Sequence, residues 1–291
     1  MEGKLRDDIH IVLDSLSCVA ETELKNDPRV HELRLLTRHG DLEWFDGEKS
    51  TAEMVKLIAE SGKLPTTSQP PLGEIVDLYT KLVTEGKKII VLNVDGILSG
   101  THETCKMAAR QVMRELKGAD IRVYDSYTAS CPLVGTAMDL LQLIDEGATM
   151  DEACAWLEDA IGRLSSYFTV DTLEYLQKGG RIGKMAGLLG SIFGIRPLTH
   201  LGKDTQGQLI PVDKVRTRKK AMARIMELAA QDAPFERLYI ANCECEGDAA
   251  MVESSLKQQF PGIPVLSTSV GTVLATHLGP GAFGIFVRKV K

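Results

Sequence analysis

The sequence predicts an α/β protein of two domains, the N-terminal one built on a mostly parallel sheet. Three observations lead there. As far as Ser165, short apolar runs alternate with helical patterns, the order that builds a parallel sheet with helices on both faces. Those runs end in polar groups, at Asp14-Ser15, Ser99-Gly100-Thr101 and Asp125-Ser126, as strands do where a ligand binds at their carboxyl ends. Beyond Ser165 the texture changes to a glycine-broken segment and a hairpin. At 291 residues the chain has room for two medium domains, expected at 1–164 and 165–291.

Ile9 to Leu13, closed by Asp14-Ser15, reads as a buried strand. Val30 to Leu36 and Leu42 to Phe45 read as further strands, with Arg38-His39-Gly40-Asp41 as the turn between them. Ser50 is a good N-cap and Glu53 follows at capping-box spacing, so a helix runs from there to Ser61-Gly62. Thr66-Thr67-Ser68-Gln69-Pro70-Pro71 is a hydroxyl-rich turn ahead of a helix that reaches Glu85-Gly86. Lys87 to Val94 is a second strong strand. It leads to Leu98-Ser99-Gly100-Thr101 and a helix that ends by Gly118. Ile121 to Tyr124 is a strand, followed by helices from about Pro132 to Gly147 and from Asp151 to Leu164.

In the second half, Tyr167 to Val170 is a strand and Leu173 to Gln177 a short helix, broken by Lys178-Gly179-Gly180-Arg181. Met185 to Phe193 reads as helical. Ile195 to Leu198 and Leu209 to Val215 form a hairpin around Gly207. Leu238 to Cys243 and Val265 to Ser269 open two further strand–helix units, and Phe283 to Val290 closes the chain.

Composition removes several function classes. A net charge of −6 is wrong for a nucleic-acid protein, which carries a basic stripe. No stretch has the uninterrupted apolar length to span a membrane, and Met1 to Asp8 lacks the apolar core of a signal peptide. Six scattered cysteines without a C-x-x-C pair read as reduced core thiols of a cytoplasmic protein, with no metal site. Aromatic residues are only 5% of the chain, so any pocket is walled mostly by aliphatic side chains.

The hydroxyl clusters point to an anion. The first N–H groups of a helix have no partner inside it and the helix dipole adds positive charge there. A strand that ends in Ser99-Gly100-Thr101 and turns into a helix therefore offers hydroxyls and N–H groups at one place, and the Thr67-Ser68 cluster offers a second set. Both are expected to converge on one carboxylate.

Other motifs carry less. Gly279-Pro280-Gly281-Ala282-Phe283-Gly284 matches the dinucleotide fingerprint literally, but a strand follows it where a helix is required, so it reads as a tight turn. Gly179 to Lys184 is one residue short of a P-loop and has Met185 where a metal-binding hydroxyl belongs, so it reads as a helix end and turn. Arg181 in it is either an anion ligand or a structural residue. His277 is either a ligand group or a core histidine. A hydrolase reading takes Ser99 as nucleophile with His277 and Asp14 or Asp125, without the Gly-x-Ser-x-Gly elbow. Arg216-Thr217-Arg218-Lys219-Lys220 reads as the solvated start of a helix.

These segments together resemble the DegV family of bacterial fatty-acid-binding proteins. The resemblance is carried by Thr67-Ser68-Gln69-Pro70, Leu98-Ser99-Gly100-Thr101, Thr172 to Ile182, Ile195-Arg196-Pro197 and Thr276-His277-Leu278-Gly279-Pro280-Gly281, in order along nearly the whole chain. It implies two α/β domains with a ligand tunnel between and beneath them. It also implies that Thr67, Ser68, Ser99, Gly100, Thr101, His277 and Arg181 form the ligand-binding set. Thr67 and Ser99 would hold a long-chain fatty-acid carboxylate, with His277 in the same network. The acyl chain would run along Met185, Leu188, Leu189, Ile192 and Phe193. The resemblance further implies a carrier that needs no cofactor, has no catalytic group and presents the carboxylate to a separate fatty acid kinase. It would exchange ligand transiently with a membrane; the alternative is a serine-dependent acyl hydrolase using Ser99 and His277. Two positions depart from the family pattern: Asp95-Gly96 stands where many members carry a serine pair, and His102 where an aromatic residue is common.

Overall fold

The computed structural model describes residues 8–188 and 194–291. The chain begins with β1 (Ile9–Asp14), β2 (Val30–Leu33), β3 (Leu36–His39), β4 (Leu42–Phe45), α1 (Thr51–Ser61), β5 (Thr66–Ser68) and α2 (Leu72–Thr84). It continues with β6 (Lys88–Asn93), α3 (Thr101–Glu115), β7 (Ile121–Asp125), α4 (Cys131–Asp145), α5 (Met150–Gly162), β8 (Leu164–Thr169) and α6 (Glu174–Lys178). Then come β9 (Arg196–Gly202), β10 (Ile210–Val215), α7 (Arg218–Ala230), β11 (Phe235–Asn242), α8 (Glu246–Gln259), β12 (Val265–Ser269), α9 (Thr272–Leu278) and β13 (Phe283–Lys289). The chain divides into two compact units. One comprises residues up to Leu35 with Gln69–Gly162, the other Leu36–Ser68 with Arg163–Lys291.

The first unit is built on a four-stranded, all-parallel sheet in the order β2-β1-β6-β7. Strands β1 and β6 are buried along almost their whole length, which is why they read as continuous apolar runs rather than as alternating patterns. Helices α2 and α3 pack on the sheet through Ile75, Tyr79, Leu82, Cys105, Ala108 and Val112. Parallel strands put all their carboxyl ends at one edge, so Asp14, Asn93 and Asp125 and the loops after them lie along that edge.

The second unit holds a six-stranded sheet in the order β10-β9-β8-β13-β11-β12, antiparallel except for the β11–β12 pair. Helices α7 and α8 bury Met222, Ile225, Val252 and Leu256 against Ile240 and Ile285. A small antiparallel sheet, β4-β3-β5, belongs to the same unit. It grips α9: Trp44 Nε1 donates to Thr272 Oγ1 at 3.1 Å, and buried Asp46 accepts from Thr272 Oγ1 at 3.0 Å and Val273 N at 3.3 Å. Helix α1 carries the capping box expected at Ser50 and Glu53, with both reciprocal bonds present and Gly62 in the left-handed conformation at its end.

The structure departs from expectation at five places. The strand expected over Val30 to Leu36 is two, β2 in the first unit and β3 in the second. Leu35 is buried, and its N–H donates to Ser15 Oγ at 3.2 Å, which ends the first pairing before the second begins. Thr66–Ser68 is not a turn but strand β5, paired with β3 so that Thr67 faces Thr37. Three residues bracketed by Pro65 and Pro70 are too few for an alternation to show. Consequently Leu36–Ser68 groups with the C-terminal half, and a single boundary near Ser165 does not describe that segment. Finally, Leu164 opens β8 instead of closing α5. Of the helical stretch expected over Met185 to Phe193, Gly183–Leu188 is a 3-10 helix, and Leu189, Ile192 and Phe193 lie outside the described residues.

Candidate functional site

In the first unit the expected anion site sits at the carboxyl end of β6. Ser99 Oγ and Thr101 Oγ1 are hydrogen-bonded at 2.9 Å, and Thr101 N donates to Ser99 Oγ at 3.3 Å. Gly100 is the N-cap of α3 and its carbonyl accepts from Thr104 N and Thr104 Oγ1. Gln69 Nε2 donates to the same hydroxyl at 2.6 Å. A Cβ on Gly100 would lie 1.9 Å from Gln69 Oε1, so the glycine is what lets Gln69 cross the turn.

The loop ahead of Ser99 uses up its own donors. Ile97 N and Leu98 N donate to Asp95 Oδ1 at 2.6 and 3.2 Å, Ser99 N to the Asp95 carbonyl at 3.0 Å, and Gly96 N to Asp125 Oδ2 at 3.1 Å. These amides are therefore not offered to a ligand. What the turn offers is the Ser99 and Thr101 hydroxyl pair, with the N–H groups of Gly100, His102 and Glu103, which make no hydrogen bond among the described residues. Asp14 ties this loop to the end of β1. Its Oδ2 accepts from Val94 N at 2.7 Å and its Oδ1 from Leu16 N at 3.1 Å. Complete burial pushes the Asp14 carboxyl up to about 7 in spite of those bonds.

In the second unit, Thr67 on β5 meets His277 on α9: Thr67 Oγ1 and His277 Nε2 are 2.8 Å apart. The other ring nitrogen, Nδ1, is buried and has no hydrogen-bond partner among the described residues. A buried bare acceptor costs less than a buried orphan N–H, so the proton belongs on Nε2. His277 then donates to Thr67 Oγ1 and leaves the Thr67 hydroxyl proton free to donate elsewhere. Burial, and next the Arg181 charge, lower the His277 imidazole to about 4. It is neutral at physiological pH. Because the folded state binds its proton less well than the unfolded chain, His277 costs stability as pH falls from 6.5 towards about 4, and nothing above that window. Nitrogen-15 shifts of this ring are expected to show the neutral Nε2–H tautomer from about pH 8 to about pH 5, and an imidazolium signal near pH 6 would contradict the assignment.

The Gly179-Gly180-Arg181 stretch is explained by the same histidine. A Cβ on Gly179 would lie 2.3 Å from His277 Nδ1, and Gly180 has a φ of +72°. Arg181 donates to the Gly179 carbonyl at 2.7 Å, which closes α6. The expected ligand set thus falls into two groups: Ser99, Gly100 and Thr101 in the first unit, and Thr67, Ser68, His277 and Arg181 in the second. Ser68 is exposed and serves β5 through its backbone pairing with Leu36. The hydrogen bonds of Ser99 and His277 go to Thr101 and Thr67, not into a nucleophile–base pair. The glycine-rich turn at Gly279 to Gly281 is a tight turn ahead of β13, as read from the sequence, with φ of +76° and +81° at its two outer glycines. Arg218, expected on a solvated helix start, instead donates to the Gly281 carbonyl at 2.9 Å and to Asp171 at 3.0 Å. Asp46 escaped the sequence reading, and the roles of Asp14 as a backbone-binding carboxyl and of Gln69 as the side chain that crosses the Gly100 turn were not read from it. The one available signal was Asp14, an acid that closes a wholly apolar run. Among the described residues no cluster of His, Cys, Asp or Glu could hold a metal ion, and no helix is long and apolar enough to cross a membrane.

Fold and site together define a class: α/β proteins of two units, with an all-parallel first sheet and a serine turn at its carboxyl edge. Within that class the chain belongs to the DegV family, whose family model, described as "Uncharacterised protein, DegV family", matches residues 8–290. It is similar to Protein DegV of Bacillus subtilis, at 32% identity over 291 residues that cover 95% of this chain and 98% of that one. A Thermotoga maritima protein named fatty acid-binding protein is 30% identical over 261 residues, covering 84% of this chain and 87% of its own. A solved structure described as fatty acid binding of a DegV family protein from Thermus thermophilus superposes with a TM-score of 0.86 at 26% identity. It covers 97% of this chain and 100% of that one.

Proposed function

We propose that this chain binds a long-chain fatty acid and presents its carboxylate to a separate ATP-dependent fatty acid kinase, acting as a carrier with no catalytic group of its own. The observation that carries the reading is the Thr67–His277 pair, a neutral histidine that frees a threonine hydroxyl to donate. Full-length relatives named for fatty acid binding support the ligand class. The donors of this reading are, in the first unit, the Ser99 hydroxyl with Gly100 and Thr101 around it and, in the second, the Thr67 hydroxyl that His277 orders. Met185, fully buried in the second unit, contributes to the acyl wall. The carrier works in the cytoplasm and exchanges its ligand transiently with a membrane.

The physical division of labour follows from magnitudes. Each buried methylene contributes about 0.8 kcal/mol before association costs, so a long chain supplies the affinity. The head group supplies orientation, and an unpaired carboxylate buried there would be costly. A hydrogen bond to a charged group contributes about 1.5–3 kcal/mol, so Thr67→Ala with Ser99→Ala is expected to weaken retention by at least about tenfold. The test is mass spectrometry of a solvent extract of the purified protein after incubation with mixed fatty acids. Stoichiometric fatty acid in the wild type and its loss from the folded double variant is the expected result. An empty wild-type extract would overturn the reading, and unaltered retention in the double variant would remove these two residues from it. Presentation to a kinase is tested by acyl-phosphate formation when the loaded protein, ATP and a fatty acid kinase catalytic subunit are combined. The carrier alone is expected to yield none.

A further inference from the structure

The loop between β6 and Ser99 is organised by one side chain. Asp95 is fully buried. Its Oδ1 accepts from Ile97 N and Leu98 N, and its carbonyl accepts from Ser99 N, so three successive amides that lead to the Ser99 hydroxyl are set by this residue. Its Oδ2 is buried with no hydrogen-bond partner among the described residues. The charged and titratable groups around it offer no compensation. Asp125 holds Gly96 N and Tyr127 N with its two oxygens. Asp14 holds Val94 N. The His102 ring packs against Gly96, and burial keeps it less basic than an ordinary histidine. On α3, Lys106 is engaged with Glu103 at 2.6 Å.

A carboxylate buried beside other carboxylates and paired with no cation pushes its proton equilibrium upward. Burial first, and the Asp125 charge after it, carry Asp95 up to about 7. Protonation on Oδ2 leaves Oδ1 in place for both amides, so the turn survives the change and only the charge is lost.

We propose that Asp95 is the positioning residue of the Ser99 turn, and that a carboxylate bound at Ser99 is accompanied by one proton taken from solvent onto Asp95. This rests on the reading of Ser99 as a carboxylate ligand. The like charge of the ligand, one turn away along the loop, makes Asp95 hold its proton more tightly when the site is filled. Binding therefore takes up a proton, and affinity falls as pH rises through about 7, by up to about tenfold per pH unit.

The experiment titrates wild type and Asp95→Asn with the fluorescent long-chain fatty acid cis-parinaric acid from about pH 6 to about pH 9. Calorimetry in two buffers of different ionisation enthalpy counts the protons taken up. Asparagine keeps an oxygen for Ile97 N and Leu98 N and does not titrate; Asp95→Ser is the second variant if the first is not folded by circular dichroism. The expected result is a pH-dependent affinity and a proton uptake that are larger in the wild type, by up to one proton, than in a variant that still binds. The ligand's own protonation is common to all the proteins and cancels in the comparison. Equal pH dependence in wild type and a folded, binding variant would overturn the role of Asp95 and leave fatty-acid binding intact. No binding by any of the proteins at any pH would overturn the fatty-acid reading itself, and this inference with it.

Discussion

Gly279→Ala is expected to destabilise the second unit by on the order of 3 kcal/mol. Gly279 closes α9 with φ +76° and ψ 166°, a region that glycine alone populates readily. A Cβ there would also lie 2.5 to 2.9 Å from ring atoms of Tyr175. The residue cannot simply relax, because Gly279 N donates to the Ala275 carbonyl at 2.8 Å and the chain passes straight into the turn that Arg218 holds at Gly281. Thermal or urea unfolding measures the loss. Gly62→Ala is the comparison: it has a similar positive φ of +67° but nothing within 4 Å of the added carbon, so it should cost only about 1 kcal/mol. Equal losses in the two variants would show that the Tyr175 contact does not limit this position. Since His277 lies two residues upstream, the Gly279 variant should also lose the Thr67 hydrogen bond and with it fatty-acid retention.

Asp14→Ala is the second large effect, this time in the first unit. Removing the carboxyl strips Val94 N and Leu16 N of their acceptor inside the fold, and each buried orphan donor costs about 1–3 kcal/mol. Its pH dependence has a definite sign. The Asp14 carboxyl is raised from 3.8 to about 7, so the folded state binds its proton more tightly than the unfolded chain does. The stability it contributes is complete below 3.8 and is lost as pH rises to about 7. The substitution should therefore cost more near pH 5 than near pH 8, by about 3 kcal/mol. Denaturant titrations at the two pH values decide it, and a larger loss on the alkaline side would contradict the assignment. His277 and His31, both lowered to about 4 by burial, contribute with the opposite sign below 6.5.

Much of this architecture was legible in order. The apolar runs at Ile9 to Leu13 and Lys87 to Val94 are strands of a parallel sheet because burial on both faces leaves no room for alternation. Ser50 with Glu53 announced α1, since a capping box is completed within four residues. The glycine turn at Gly279 was separable from a dinucleotide site because the strand follows the motif. Where the reading failed, the cause was non-local. Thr66–Ser68 is a strand because β3 lies beside it, and between β2 and β3 the Leu35 N–H goes to Ser15 Oγ, 20 residues away in sequence.

The site divides along the same line. Local sequence determined that a serine turn would follow a buried strand and open a helix, that a helix would end at Gly179, and that Gly279 to Gly281 would be a tight turn. Those depend on steric and hydrogen-bonding preferences that act within a few residues. The family resemblance placed Thr67 and His277 in one network; only tertiary structure decided that they bond directly across a separation of 210 residues, that the Gly179 position is kept bare by the His277 ring, and that Asp95 and Asp14 are buried carboxyls serving the Ser99 loop. The burial that shifts a proton equilibrium, and the partner that selects a tautomer, come from segments distant in sequence. No pattern within either segment specifies them.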